Sequence, residues 1–291
     1  MSSRDFFAWR LDGDALSEVP ERVVEEGPLS IRVNGKPFTV TLRTPGDDRA
    51  LVLGLLFSEG LVEKPEDLLS LYEEAEKAGA SADAALPENA ATWSAYVKVL
   101  PSLDAKLSNR SLASTSSCGF CGKTEWTESE GCVAPQHPAS ESATPNAPAL
   151  TTSFLQKCFA MMRERQDLFG ATGGSHAAAL FSVHGDLLGF GEDAGRHNAV
   201  DKAVGKLWAA GTLDAAKVLC VSGRVSYEIA SKAARAGVTV LAAVSAPSSL
   251  AVTYCRDNGI TLIGFCRGAR ATVYAHPHRF VGVRALKEVV S

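Results

Sequence analysis

Three short apolar runs near the C-terminus restrict the possible folds more than any other part of this chain. They read "KVLCVSG" (217–223), "VTVLAAV" (238–244) and "ITLIGFC" (260–266). Apolar residues occupy consecutive positions rather than alternate ones, so both faces of each strand must be covered. The segments between them, 225–236 and 247–258, are helical in composition, and Gly237 and Gly259 stand where a helix would stop. Strand, helix, strand, helix, strand with doubly buried strands predicts a parallel α/β layer between helices.

The segments upstream are more varied. "SFLQKCFAMMRERQDLFG" predicts one amphipathic helix closing at Gly170, and "GRHNAVDKAVGKLWAAG" a second ending at Gly211. "HAAALFSV" and "LLGFGED" flank His184-Gly185-Asp186 as a hairpin. In "PLSIRVNGKPFTVTLR" (28–43), Ile31 and Val33 alternate with polar neighbours before Asn34-Gly35, and Phe38, Val40 and Leu42 resume the alternation. That pattern is a β-hairpin. A helix is expected from Asp48 to Glu59, a solvated helix end plus loop from Ala75 to Thr92, and a strand at "WSAYVKVL" (93–100). Residues 124–149 have little periodicity and read as a linker. The expected organisation is α/β in the C-terminal half and α+β overall. An N-terminal α+β domain spans 1–113, a flexible CxxC loop and linker 114–149, and a C-terminal α/β cofactor-binding domain 150–291.

Charge and cysteine usage narrow the partners. A net charge of −4 over 291 residues supplies no basic field, so nucleic acid is not expected and any anion site must be local. The opening "MSSRDFFAWRLDGD" lacks the basic and apolar regions of a secretory signal, and no apolar run reaches the roughly 18–20 residues of a membrane span. A cytoplasmic protein is expected, in which seven cysteines are reduced thiols rather than a disulfide scaffold.

Ligands of open α/β sheets bind beyond the carboxyl ends of the strands. Those ends carry Ser222-Gly223-Arg224, Ser245 to Ser249, and Arg267-Gly268-Ala269-Arg270. Serines and glycines before helix N-termini offer N–H donors, and arginines clamp phosphate bidentately. Arg224, Arg267 and Arg270 are therefore expected to serve one phosphate-bearing ligand. Arg196 and His197 fall in the first turn of a helix, with His197 and Asp201 on one face, and His176 follows Gly173-Gly174. His197 is also readable as a packed residue, and the His176 segment as a simple turn into a buried strand.

"STSSCGFCGK" (114–123) holds Cys118 and Cys121. A structural zinc site would need four ligands, and the remaining cysteines, Cys132, Cys158, Cys220, Cys255 and Cys266, are isolated; His276 and His278 are the only close histidine pair. A thioredoxin-type dithiol would need a long helix after the motif, whereas "GKTEWTESEG" follows. A thiol that carries sulfane sulfur needs a nucleophilic cysteine on a flexible loop, with Lys123 to favour the thiolate. The serine-glycine setting points to the carrier.

The segments "RTPGDDRALVLGLLFSEGL", "SCGFCGK", "TGGSHAAALF", "EDAGRHNAVDK", "VSGRVSYEIASKAARAG" and "GFCRGAR" together resemble the formate dehydrogenase accessory sulfurtransferase (FdhD) family, in order from residue 28 to residue 275. The resemblance implies a sulfurtransferase that takes sulfur from a cysteine desulfurase as a persulfide. It would pass that sulfur to the bis-molybdopterin guanine dinucleotide form of the molybdenum cofactor, bound as substrate, for formate dehydrogenase. It implies Cys118 as the persulfide carrier, Cys121 as its assistant, and Phe265, Cys266, Arg267, Gly268, Ala269 and Arg270 as cofactor contacts. It also implies a homodimer, no tightly held metal, and a C-terminal domain like that of cytidine deaminases. A deaminase carries H-x-E before P-C-x-x-C; here Ala178 stands two places after His176 and the CxxC comes first, so that chemistry is absent. The alternative to sulfur transfer is a cofactor-binding chaperone with incidental thiols.

Overall fold

The computed structural model describes residues 2–74, 87–98 and 150–282. Strands β1 (Ser3–Asp12) and β2 (Ala15–Val24) form a two-stranded ribbon that was not expected from the sequence. Phe7, Trp9 and Leu11 alternate with Ala8, Arg10 and Asp12 along β1 but are exposed rather than packed on a core. The expected hairpin follows as β3 (Gly27–Val33) and β4 (Lys36–Arg43), turning at Asn34 and Gly35 with φ of 49° and 78°. Both positive values are what a two-residue hairpin turn requires. The Asn34 side chain accepts the Val97 N–H and donates to the Val97 carbonyl oxygen, which ties this turn to β6 (Ala91–Val97).

Helix α1 spans Asp48–Ser58, and β5 (Leu68–Glu73) completes a four-stranded sheet in the order β4-β3-β6-β5. Of the solvated helix end plus loop expected from Ala75 to Thr92, residues 75–86 lie outside the described residues, and only its last positions can be compared. Residues 68–73 already pair as a strand, and Thr92 lies inside β6.

The single helix expected to close at Gly170 is instead two: α2 (Thr152–Glu164) and α3 (Asp167–Thr172). Gln166 leaves helical backbone at ψ 65°, and the Glu192 carboxylate accepts the N–H groups of Leu168 and Phe169. An anion satisfying free N–H groups starts a new helix at that point. The helix then runs past Gly170 to Gly173, whose φ of 68° ends it.

Strands β7 (His176–Phe181) and β8 (Leu187–Asp193) form the second hairpin. They are followed by α4 (Arg196–Ala209), β9 (Val218–Val221), α5 (Tyr227–Arg235), β10 (Val240–Ala243) and α6 (Ser249–Asp257). Strands β11 (Thr261–Arg267) and β12 (Arg270–Ala275) close the order. One six-stranded sheet results, ordered β12-β11-β10-β9-β7-β8. Only β9, β10 and β11 are parallel; β7 and β12 run antiparallel to their neighbours, so the fold is mixed α/β. Leu219, Leu241 and Leu262 pack in the core shared with α4, α5 and α6. Val218, Cys220, Val240 and Ile263 pack with Leu155, Cys158 and Met162 of α2. Layers on both sides explain the uninterrupted apolar strands.

The two halves of the chain share that first core, because α1 packs across α4. A Cβ on Gly54 would stand 1.9 Å from the Asp201 carbonyl oxygen, and one on Gly205 would stand 1.9 Å from that of Ala50. The helices therefore meet backbone to backbone. Polar groups reinforce the joint. Asp193, fully buried, receives the Lys202 ammonium at 2.8 Å and the Thr44 N–H at 3.0 Å, and Lys202 also donates to the Thr44 carbonyl oxygen. Asp201, whose carboxyl is pushed up by burial against the pull of Lys232, meets the Lys232 ammonium at 2.7 Å and the Ser58 hydroxyl at 2.9 Å.

Gly54→Ala tests the contact with opposed signs. Helix propensity favours Ala by roughly 1 kcal/mol, whereas overpacking costs about 1–3 kcal/mol and occasionally more. A net destabilisation is expected in urea unfolding. A stabilised variant would mean that the helices can separate at no cost.

Candidate functional site

The carboxyl ends of β8, β9, β10 and β11, with the amino end of the antiparallel β7, lie along one sheet edge. Two groups of side chains gather there.

The first stands over β7, β8 and β9. The Ser222 hydroxyl, at the end of β9, accepts the Ala177 N–H and lies 3.4 Å from His176 Nδ1. Gly223 leaves room that a Cβ would fill, at 3.3 Å from His176 Nδ1 and 3.4 Å from the Arg196 Cβ. Burial lowers the His176 pKa, and the charges of Arg196, His197 and Arg224 lower it further while Asp193 opposes them. Arg196, His197 and Arg224 are thus all near enough to His176 to act on it electrostatically. The amino ends of α4 and α5 open onto it, the first after Gly195 and the second after Ser226. His197 Nε2 lies 2.9 Å from Glu228 Oε2 and 3.2 Å from the Ser226 hydroxyl.

The second group surrounds a cavity of about 380 Å³ between α2 and the β11–β12 hairpin. Leu155, Gln156 and Phe159 line it from α2, and Cys266, Gly268 and Arg270 from the hairpin. A register shift between Gly264 and Arg267 interrupts the strand alternation. Phe265 adopts φ 53°, a left-handed conformation that is costly for a residue with a side chain. It leaves the Phe265 ring 42% exposed while Cys266 turns inward. The Phe265 N–H donates to the Ser245 carbonyl oxygen, which anchors the strained residue to the end of β10.

The structure thus divides what the sequence grouped. Arg224 belongs with His176, Arg196 and His197, whereas Arg267 and Arg270 face each other in the hairpin register two and three strands away. Two strand steps amount to roughly 10 Å. Asp201 leaves His197 for its ion pair with Lys232, so their shared helical face is structural. Glu228, Ser226 and the α2 lining were not read from the sequence. Glu228 follows an N-cap serine by two residues, a spacing that acquires meaning only when α5 is placed against α4.

Cys118, Cys121, Lys123, Cys132 and the proposed linker lie outside the described residues. The four described cysteines, Cys158, Cys220, Cys255 and Cys266, are buried free thiols. Burial pushes Cys255 up to about 12 and Cys266 up to about 11, and raises Cys220 well above the usual thiol range. Cys158 is lowered by its hydrogen bond with Cys220 but has no exposed surface. His276 and His278 stack edge to face with ring centroids 5.6 Å apart. Among the described residues no three His, Cys, Asp or Glu side chains gather as a metal site, and no helix is long and apolar enough to cross a membrane.

This is a mixed α/β protein whose sheet edge collects basic side chains beside a cavity. The chain belongs to the FdhD/NarQ family, whose model matches residues 24–281. A relative from Streptomyces avermitilis, named sulfur carrier protein FdhD, is 44% identical over 278 residues, covering 95% of this chain and 94% of its own. The protein of the same name from Mycobacterium tuberculosis is 43% identical over 270 residues, covering 92% of this chain and 95% of its own. The fold matches the crystal structure of a formate dehydrogenase accessory protein from Desulfotalea psychrophila. That match has a TM-score of 0.70 at 21% identity, over 97% of this chain and 100% of the other.

Thiol reagents should separate the cysteines. In the native protein, alkylation should be confined to Cys118, Cys121 and Cys132, with Cys158, Cys220, Cys255 and Cys266 labelled only in denaturant. Peptide mass mapping reads this directly. Rapid native labelling of Cys266 would contradict its burial.

Proposed function

We propose that the protein is a sulfur carrier. Cys118 accepts a sulfur atom from a cysteine desulfurase and delivers it to the bis-molybdopterin guanine dinucleotide cofactor for formate dehydrogenase. The observation that carries this reading is family membership over nearly the whole chain, with relatives named sulfur carrier proteins. In the loading step the Cys118 thiolate attacks the terminal sulfur of the desulfurase persulfide. A new S–S bond forms, the old one breaks, and the desulfurase cysteine leaves as a thiolate. No external oxidant or reductant is consumed.

The described residues support the reading in two ways. Their four thiols are buried, three of them with raised pKa values, which leaves the CxxC and Cys132 as candidate acceptors. The sheet edge also suits a long ligand with a base and phosphates. The cavity beside Phe159 and Arg270 would take the guanine end, and the basic group over β9 a phosphate. The proposal places the protein in the cytoplasm as a homodimer, with exposed Phe7, Trp9, Leu11 and Leu16 of the ribbon as apolar surface available to a second copy.

Mass spectrometry after incubation with a cysteine desulfurase and cysteine tests the transfer. A gain of one sulfur atom on Cys118 is expected. Cys118→Ser should abolish it, and Cys121→Ser should retain loading while slowing delivery. Loading on Cys121 alone would reverse the two roles, and no loading on any cysteine would leave a cofactor-binding chaperone.

Calorimetry with GDP tests the ligand half. Arg267→Ala and Arg270→Ala should each weaken binding by about 1.5–3 kcal/mol, the usual effect of losing a charged hydrogen bond. Unchanged affinity in both variants would exclude the hairpin as the nucleotide contact.

A further inference from the structure

His197 is 9% exposed, yet its Nδ1 has no hydrogen-bond partner. Its other ring nitrogen is engaged, since Nε2 sits 2.9 Å from Glu228 Oε2. An ionised carboxylate only accepts, so Nε2 carries a proton and donates it to Glu228. That contact fixes the tautomer of the neutral ring and leaves Nδ1 as the atom that can gain or lose a proton. Glu228 thus positions His197 from α5, a neighbouring helix.

The surroundings specify what would meet Nδ1. A Cβ on Gly223 would stand 3.3 Å from His176 Nδ1 and 3.4 Å from the Arg196 Cβ, so these two side chains meet at the end of β9, and Arg224 and His197 are next in the chain to Gly223 and Arg196. The first turns of α4 and α5 add the positive ends of two helix dipoles. The nearby Asp193 carboxylate is occupied by Lys202 and by the N–H groups of Thr44 and Gly195. Asp201 and Lys232, further along the same helices, bond to each other. Glu228 is then the anion committed to His197. A buried nitrogen left without a partner costs free energy, and an oxyanion oxygen accepting from a protonated Nδ1 would remove that cost.

We propose that His197, positioned by Glu228, forms with Arg196, Arg224 and His176 a phosphate-class anion subsite that takes up a proton when it fills. The subsite is distinct from the hairpin cavity. It rests on the sulfur-carrier reading only for the identity of the natural ligand. Proton uptake couples ligand capture to pH: the anion is held with His197 charged and is released more readily as the ring deprotonates.

Sulfate is the probe, a tetrahedral dianion that does not itself titrate near neutrality. Full-length protein is titrated calorimetrically in buffers of different ionisation enthalpy, at about pH 6 and about pH 8, which bracket the ordinary histidine range. Net proton uptake is expected on binding, with affinity about tenfold higher at the lower pH, a ratio that one titrating group supplies over that interval. His197→Gln should remove the uptake and flatten the pH dependence. Glu228→Gln, which keeps the shape but loses the carboxylate, should move the uptake to lower pH. Thermal unfolding of both variants checks that they fold. Uptake that persists unchanged in His197→Gln overturns the proposal, as does the absence of sulfate binding to the wild type at the lower pH. Sulfur loading of Cys118 is read separately. Failure of loading with intact proton-linked sulfate binding would refute the carrier reading and leave the subsite standing.

Discussion

Everything at the sheet edge depends on α1 lying against α4 with no side chain between them at Gly54 and Gly205. A contact that close places the connection before α1 over the start of α4. Thr44 and Leu42 can then bond to Asp193, Ala194, Lys202 and Asn198. The buried charges of Lys202 and Lys232 are tolerable only because Asp193 and Asp201 sit opposite them within ordinary hydrogen-bond distance. The N-terminal half therefore clamps the helix that presents Arg196 and His197. The turn bearing those residues is held from three sides: by its own sheet, by α5 through Glu228, and by the segment before α1.

The opposite end of the edge is organised by strain rather than by charge. Phe265 takes a left-handed backbone conformation where glycine would be easier, and the bulge around it turns Cys266 inward and leaves Phe265 facing solvent. Strain of this kind persists only where its surroundings enforce it. Here the enforcement comes from the Phe265–Ser245 hydrogen bond and from Gly264, which has Pro247 and Tyr274 closely against it. The same bulge contributes Cys266 to the wall of the cavity against α2. One end of the edge thus offers charge and helix dipoles, and the other a shaped apolar wall with an arginine at its rim.

Elements governed by local chemistry were legible in the sequence. Asn34-Gly35 dictated its hairpin, Gly211, Gly237 and Gly259 stood at helix ends with positive φ, and the unbroken apolar runs required a covered sheet. Elements governed by contacts distant in sequence were not. The break between α2 and α3 arises from Glu192, 24 residues further along the chain than Leu168. The β1–β2 ribbon went unread although Phe7, Trp9 and Leu11 alternate with Ala8, Arg10 and Asp12 along β1. Cys118 and Cys121 stood out because two thiols among serines and glycines are chemically conspicuous whatever the fold.

The site divides the same way. Position at strand carboxyl ends was enough to nominate Arg224, Arg267 and Arg270, a helix first turn nominated Arg196 and His197, and the preceding Gly173-Gly174 pair nominated His176, because such places leave backbone donors and helix dipoles open. Which of them act together was decided only in three dimensions. Strand order separates Arg224 from Arg267 by two strand widths and from Arg270 by three. Helix packing turns Asp201 away from His197 toward Lys232 and brings Glu228 to the histidine instead. A one-dimensional pattern records which chemical groups a chain possesses. The pairing of charges depends on distances across elements, and those are set by how closely α4 can approach its neighbours.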